Sequence, residues 1–253
     1  MPAEDLRQRS INSTRVEVEA FGGAAIDSFV LHRDRLVAAV NPSAPLRSFL
    51  NSVFYAHGAA LAHQIEDVEN DYRANAVTAW AVWVPDRDLR SANLLARRGY
   101  SLDAAPRAMA IALADLCSAP APSGIESGPG DAQTAMGLND RAYGQQTGWF
   151  YCATHCPVPI RWHVAYQDGV AIGCVGTILS GNDCCVTGIA TLPEHRGKGI
   201  ASWLLYEALV GARQDGMVTA SLRATAAGAP LYGHLGFIDC GYLEMWELRH
   251  PVA

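Results

Sequence analysis

The sequence predicts a mixed α+β protein made of two halves, each a mostly antiparallel mixed sheet flanked by helices. Three observations carry that expectation. Strand-type alternation and helical apolar stripes follow one another in both halves. The composition breaks at Cys117-Ser-Ala-Pro-Ala-Pro-Ser-Gly124, a linker-like run that separates residues 1–120 from 121–253. The segment from Leu94 to Leu113 also echoes that from Pro230 to Leu248, each reading as a short helix, a Gly-aromatic pair, a turn and a Met-containing strand.

With 253 residues, 50% of them hydrophobic and 17% charged, the chain has ample material for a folded core and is not disordered. A formal charge of -6 argues against nucleic acid as the main partner, because a phosphate backbone is bound by a basic surface. An amine-bearing small molecule suits that balance better. No apolar run approaches the roughly 18 residues of a membrane span, and the N-terminus is polar rather than signal-like, so a cytoplasmic protein that does not bind membranes is expected. The seven cysteines show no framework spacing, and disulfides are not expected. Cys152-Ala-Thr-His155-Cys156 offers three metal-type side chains without a second cluster, so buried thiols are preferred to a zinc site and no metal is expected.

Residues 1–13 read as a frayed or helical tail. Alternation then predicts strands at Val16–Ala20, Asp27–His32 and Leu36–Val40, a loop at Asn41–Pro45 and a short strand over Phe49–Tyr55. Ala60, Leu61, Ile65 and Val68 form the stripe of a helix over about 58 to 74 with an acidic outer face. A strand at Val77–Val84, a helix over about 89 to 98 and a strand at Ala108–Leu113 complete the first half. The second half begins with a helix over about 131 to 143 capped by Asp131. Asp168-Gly169 then marks a hairpin between Arg161–Gln167 and Val170–Leu179. A strand over Cys184–Leu192 leads through glycines into a helix whose apolar face is Ala201, Leu204, Leu205, Ala208, Leu209 and Ala212, with Gly216 at its end. Val218–Leu222, a short helix over Ala226–Leu235 and final strands over Ile238–Leu248 close the chain.

The strand-to-helix turn is Arg196-Gly197-Lys198-Gly199-Ile200-Ala201. Two glycines allow positive φ and remove Cβ atoms, and a helix start offers free N–H groups to an anion, so this is a phosphate-type grip. The other reading is a plain turn with surface cations. Taken together with Leu231-Tyr232-Gly233-His234-Leu235-Gly236-Phe237, the turn resembles the GNAT superfamily of acetyl-CoA-dependent N-acetyltransferases, over about residues 123 to 250. The first segment fits its Arg/Gln-x-x-Gly-x-Gly/Ala loop and the second its Leu-Tyr-x-x-Leu-Gly-Phe signature. The first half, with Phe49-Leu-Asn51 and Trp83, Gly99-Tyr100 and Met109, looks like the degenerate first copy of tandem members, without a phosphate loop.

The resemblance implies two tandem GNAT-like domains, acetyl-CoA as co-substrate and direct attack by the amine of a small molecule or peptide. It implies diphosphate binding at Arg196, Gly197, Lys198, Gly199, Ile200 and Ala201. It also places backbone N–H groups of Ala190, Thr191 and Leu192 along the pantetheine arm and thioester, where they would stabilise the oxyanion, with Gly188 marking the bulge that opens the strand. Tyr232 would protonate the departing thiolate. Asp183 is the candidate base, with a turn role as its alternative, and His163 is a second candidate. Trp149, Phe150 and Tyr151 are expected to meet the acceptor. Two other functions remain open at this point: an acyl-CoA-binding sensor or interaction module without catalysis, and a nucleotide site.

Overall fold

The computed structural model describes residues 1–23, 25, 27–144 and 158–250. The chain opens on a 20-residue helix, α1 (Ala3–Gly22), where the alternation from Val16 to Ala20 predicted a strand. The physical reason lies in the stripe that α1 buries. Leu6, Ser10, Ser13, Glu17 and Phe21 are buried at helical spacing, but most of them are polar, so a hydrophobic period cannot see them.

Strands β1 (Phe29–Arg33), β2 (Leu36–Val40) and β3 (Ser52–Tyr55) follow, with residues 48–50 in turns where the strand was expected to begin. Helix α2 (Gly58–Ala74), β4 (Ala79–Pro85), α3 (Leu89–Arg97), β5 (Ser101–Ala104) and β6 (Arg107–Ala112) complete the first half. The second half contains β7 (Glu126–Gly130), α4 (Ala132–Tyr143), β8 (Arg161–Gln167), β9 (Val170–Ser180) and β10 (Asp183–Thr191). It ends with α5 (Ile200–Gln214), β11 (Thr219–Ala224), α6 (Ala229–His234) and β12 (Ile238–Arg249). Asp131 caps α4 by accepting from Thr134 N–H at 2.7 Å. Asp168 and Gly169 take φ of 51° and 75°, the left-handed pair that a two-residue hairpin turn demands. The run Gly128-Pro-Gly130 is part of the edge strand β7, where a proline is tolerated because one side has no partner.

All strands join one sheet in the order β1-β2-β3-β4-β12-β6-β11-β10-β9-β8-β7, with β5 pairing β12 off this path. The two halves exchange their closing strands. β12, from the end of the chain, lies antiparallel to β4 from Leu243↔Pro85 to Arg249↔Ala79. β6, from the end of the first half, lies antiparallel to β11 from Thr219↔Ala112 to Ala224↔Arg107. These are the two Met-containing strands of the repeat, and Met109 and Met245 are both buried.

Helices α2, α3 and α5 cover one face of the sheet, while α1 and α4 cover the other. β6 shows the division: Met109 and Ile111 join the core under α5, and Ala108 and Ala110 join the core under α1. α1 therefore bridges the halves. Buried Arg7 donates to Asp86 at 2.6 Å and to the carbonyl of Cys240, and Arg9 reaches Asn182 at 2.5 Å and Thr219 at 3.2 Å. Near the C-terminal end of the helix, Glu17 pairs with Arg223 of β11. Cys174, Cys184, Cys185 and Cys240 are free and buried. Among the described residues, no helix is long and apolar enough to cross a membrane.

The end of α1 lies so close to β2 that a Cβ at Gly22 would stand 2.7 Å from Ala39 Cβ and 3.0 Å from its Cα. Gly22→Ala is expected to destabilise the protein by about 1–3 kcal/mol, since overpacking forces the backbone apart. A urea unfolding curve with an unchanged midpoint would contradict that packing.

Candidate active site

The site begins with a break in β10. Its antiparallel pairing with β9 shifts between Thr187 and Ala190, and Gly188 sits there with φ 58°. Only glycine fits. A Cβ at that position would lie 2.7 Å from the Trp162 ring, and the left-handed conformation is strained for any other residue. On its other side β10 pairs in parallel with β11 only from Asp183↔Thr219 to Cys185↔Ser221. Beyond the bulge the two strands part, and two cavities meet in the opening.

The larger, about 960 Å³, runs from Ile189, Ala190 and Thr191 of β10 to the glycine turn and the start of α5. Gly197 and Gly199 have φ of 76° and 77°, and an added Cβ at either would meet nothing within 4 Å. Gly199 is the N-cap of α5 and supplies no side-chain cap. Among the described residues, the backbone N–H groups of 197 to 202 have no acceptor, so a row of donors and the positive helix end face open space. That is the donor set a diphosphate needs, and Gly197, Gly199, Ile200 and Ala201 all line the cleft.

The two cations of the turn behave differently from a simple charge clamp. The Arg196 guanidinium donates to the carbonyls of Ala142 at 2.6 Å and Thr191 at 3.2 Å, tying the turn to the C-terminal end of α4, where a cation is favoured. Lys198 is exposed and lies outside the cleft lining. Leu192 is not brought to the cleft either, because its side chain is buried under α4 and its N–H donates to Ile172 O at 2.9 Å. Since Leu192 N–H faces β9, strand alternation turns Thr191 N–H toward the opening, in line with Thr191 O meeting Arg196 on that side.

Tyr232 of α6 stands where the two cavities join and lines both. It is buried, and its hydroxyl has no hydrogen-bond partner among the described residues. Burial, and secondarily the neighbouring Tyr143, push its pKa well above that of an ordinary phenol, so it holds its proton throughout the physiological range. Tyr143, the last residue of α4, donates to Ile189 O at 3.0 Å and lines both cavities as well.

The smaller cavity, about 230 Å³, lies in the seam between the halves. Phe49 and Trp83 reach it from the first half, Glu17 from α1, and Arg223 from β11. The Arg223 guanidinium lies 4.0 Å from the Trp83 ring centroid and 5.5 Å from that of Phe49. Desolvation pushes its pKa down to about 9. These residues were missed from sequence. Arg223 did leave a signal, as a lone charge inside an apolar alternating strand, but Glu17 lay in a stretch read as strand.

Asp183 is not brought to Tyr232. It starts β10, seven residues before Ala190, a distance of about 20 Å along an extended strand. It lines neither cavity of the opening, and its oxygens accept from Thr219 Oγ1 at 2.5 Å and Ser221 Oγ at 2.6 Å. Burial raises its pKa despite those bonds. His163 pairs with Pro129 near the sheet edge and faces a separate groove, its pKa lowered by burial and by Arg161. Trp149, Phe150 and Tyr151, like Cys152, His155 and Cys156, lie outside the described residues. Among the described residues no group of three or more His, Cys, Asp or Glu is placed to hold a metal.

The site thus lies in a mixed sheet opened between two parallel strands, with a glycine turn feeding a helix at the opening. Residues 159–239 match the family model of the acetyltransferase (GNAT) domain. The whole chain has the fold of a GCN5-related N-acetyltransferase from Kribbella flavida, at TM-score 0.68 and 17% identity over 96% of each chain. It also resembles a GCN5-related N-acetyltransferase from Sphaerobacter thermophilus, at TM-score 0.64 and 18% identity over 86% of this chain and 78% of that one. A tandem GNAT protein from the clavulanic acid biosynthesis pathway aligns at TM-score 0.57 and 14% identity over 76% of this chain and 70% of its own. A comparison with curated protein sequences gives no match.

Gly188 and Gly199 separate two costs. Gly199→Ala is expected to destabilise by about 1–2 kcal/mol from positive φ alone, and Gly188→Ala by about 1–3 kcal/mol more because of the Trp162 contact. Thermal unfolding that ranks them equal would contradict this. For Asp183, a native pKa above the ordinary value of about 4 means that the native state binds a proton more tightly than the unfolded one. Its contribution is therefore complete below the ordinary value and lost as pH rises through the raised one. Asp183→Asn should flatten that part of the stability–pH curve and be neutral or stabilising at pH 7, whereas a variant less stable at pH 7 than at pH 4 relative to wild type would contradict it.

Proposed function

We propose that the protein is an acetyl-CoA-dependent N-acetyltransferase acting on the amine of a small molecule or peptide by direct attack in a ternary complex. One observation carries the reading: the unpartnered Tyr232 hydroxyl stands at the junction of a donor-lined cleft and a small separate pocket. The cleft suits a long phosphate-bearing thioester and the pocket a compact acceptor. In this reading the N–H groups of 197 to 202 hold the diphosphate, and acetyl-CoA supplies the activated acyl group. Thr191 N–H polarises the thioester carbonyl from β10, and Tyr232 donates a proton to the leaving sulfur. An ordinary thiol has a pKa of about 8.5, so hydrogen bonding from a neutral phenol suffices. We assign Asp183 a structural part at the head of β10.

We also propose that the chain divides into two GNAT-like domains, residues 1–120 and 121–253, of which only the second holds the cofactor. At the start of α2, in the first half, His57 caps the helix through Ala60 N–H at 3.2 Å, and the Asp88 carboxylate takes Tyr55 OH at 2.9 Å and Ser91 N–H at 3.1 Å. A Cβ at Gly58 would lie 3.1 Å from Asp88 Oδ2. An anion of the protein's own thus stands against the helix end where a phosphate would bind.

Thiol release with a panel of amines tests the activity, and calorimetry with acetyl-CoA tests the grip. Tyr232→Phe is expected to lower kcat by about 10²-fold, within the usual range for a proton donor, with acetyl-CoA affinity nearly unchanged. Unaltered turnover would remove Tyr232 from the mechanism. Heat of binding without turnover on any amine would instead favour an acyl-CoA sensor.

A further inference from the structure

The seam pocket contains a buried ion pair with two of its polar atoms unengaged. Glu17 and Arg223 each have side chains only 10% exposed, and they bind one another through Glu17 Oε2 and Arg223 Nη2. Glu17 Oε1 has no partner among the described residues and is not among the buried orphan atoms. Arg223 Nη1 is buried without a partner. Two charged groups taken out of water lose much of their hydration, and each unanswered donor or acceptor adds to that loss. The guanidinium lies over Trp83 and is flanked by Phe49, so its plane and position are fixed. Both residues line the cavity that Tyr232 closes on its other side.

We infer that this pair is the acceptor-recognition device and that the acceptor is an amino acid-like zwitterion, its amine meeting Glu17 Oε1 and its carboxylate meeting Arg223 Nη1. The inference rests on the acetyl-transfer reading. A bound ion pair offers adjacent charges of opposite sign, and an α-amino acid carries the same two charges a few bonds apart in the complementary order. A simple amine would satisfy only one of them, and the buried guanidinium donors would stay unanswered. The cavity volume of about 230 Å³ lies below the usual range of roughly 300–1,000 Å³ for ligand pockets, which suits a compact acceptor.

The step balances with these residues alone. An ammonium nitrogen loses two protons as its bond to the acyl carbon forms and the carbon–sulfur bond breaks. One passes to Glu17 and on to solvent, and the other replaces the proton that Tyr232 gives to sulfur. Glu17 is then the base that Asp183 is too distant to be, and it comes from the first half of the chain.

The test uses the full chain, acetyl-CoA, and alanine, valine and phenylalanine, each against the amine lacking its carboxylate. Both thiol release and calorimetric binding of the acceptor are read. The amino acids are expected to exceed their amines by about 10- to 100-fold in kcat/KM, the worth of a hydrogen bond to a charged group. Arg223→Met should bring that ratio close to one. The double variant Glu17→Gln/Arg223→Met removes both charges with shape kept, guards against the misfolding an unpaired charge would cause, and should lose the preference in calorimetric binding, with turnover lost along with the base. A pair that only braces α1 to β11 would change stability and leave the ratio intact. A wild-type enzyme that binds acetyl-CoA but shows no preference for the carboxylate, or neither binds nor acetylates any of the amino acids, overturns the inference and leaves the cofactor site standing. No binding of acetyl-CoA at all overturns the acetyl-transfer reading and this one with it.

Discussion

The parting of β10 and β11 is the constraint on which the site depends. Parallel strands that stayed paired would satisfy each other's backbone groups and leave no room for a ligand. Here the pairing ends at Cys185↔Ser221. Gly188 then takes a left-handed conformation against the Trp162 ring, and the strand changes register. The ring enforces the bulge from one side and Tyr143 steadies Ile189 from the other. Arg196 fastens the following turn to α4 and back to Thr191. Opening, turn and helix start are thus held as one piece, with free N–H groups directed into the space they frame.

The exchange of closing strands sets the other wall. Because β6 pairs with β11 and β12 pairs with β4, the central sheet runs unbroken through the join. The seam pocket is consequently lined by residues of both halves on a shared rigid support, with α1 lying across it. Arg7 anchors that helix near its start and the Glu17–Arg223 pair near its end. Replacing the pair with apolar groups need not weaken the fold, since the hydration lost by buried charges offsets much of their attraction. That makes its position beside Tyr232 more informative than its contribution to stability.

Much of this was legible in the chain. Regular spacing marked α2, α5 and the hairpin with Asp168-Gly169, and the glycines 188, 197 and 199 marked backbone that only glycine accepts. The Leu-Tyr-x-x-Leu-Gly-Phe run put Tyr232 in view. What escaped notice depends on contacts between distant segments. α1 buries serines, a threonine and a glutamate among its apolar positions, and Glu17 finds its partner Arg223 far along the sequence, so its helical stripe has only a weak apolar signature. Strand exchange is hidden because β6 and β12 look alike as sequences and either could close either sheet. The sequence also hides the local ties of two candidate residues, Arg196 bonding Ala142 O while it lines the cleft and Asp183 accepting from two hydroxyls at the head of β10.

The central claim is that the chain has one acyl-CoA grip, in its second half, made of backbone donors rather than side-chain cations. Amide hydrogen exchange with and without acetyl-CoA tests it most directly, because it reads those donors themselves. The account predicts slowed exchange at 189–191 and 197–202 and no change at the start of α2. Protection at residues 58–60, or none at 197–202 under saturating acetyl-CoA, would contradict it.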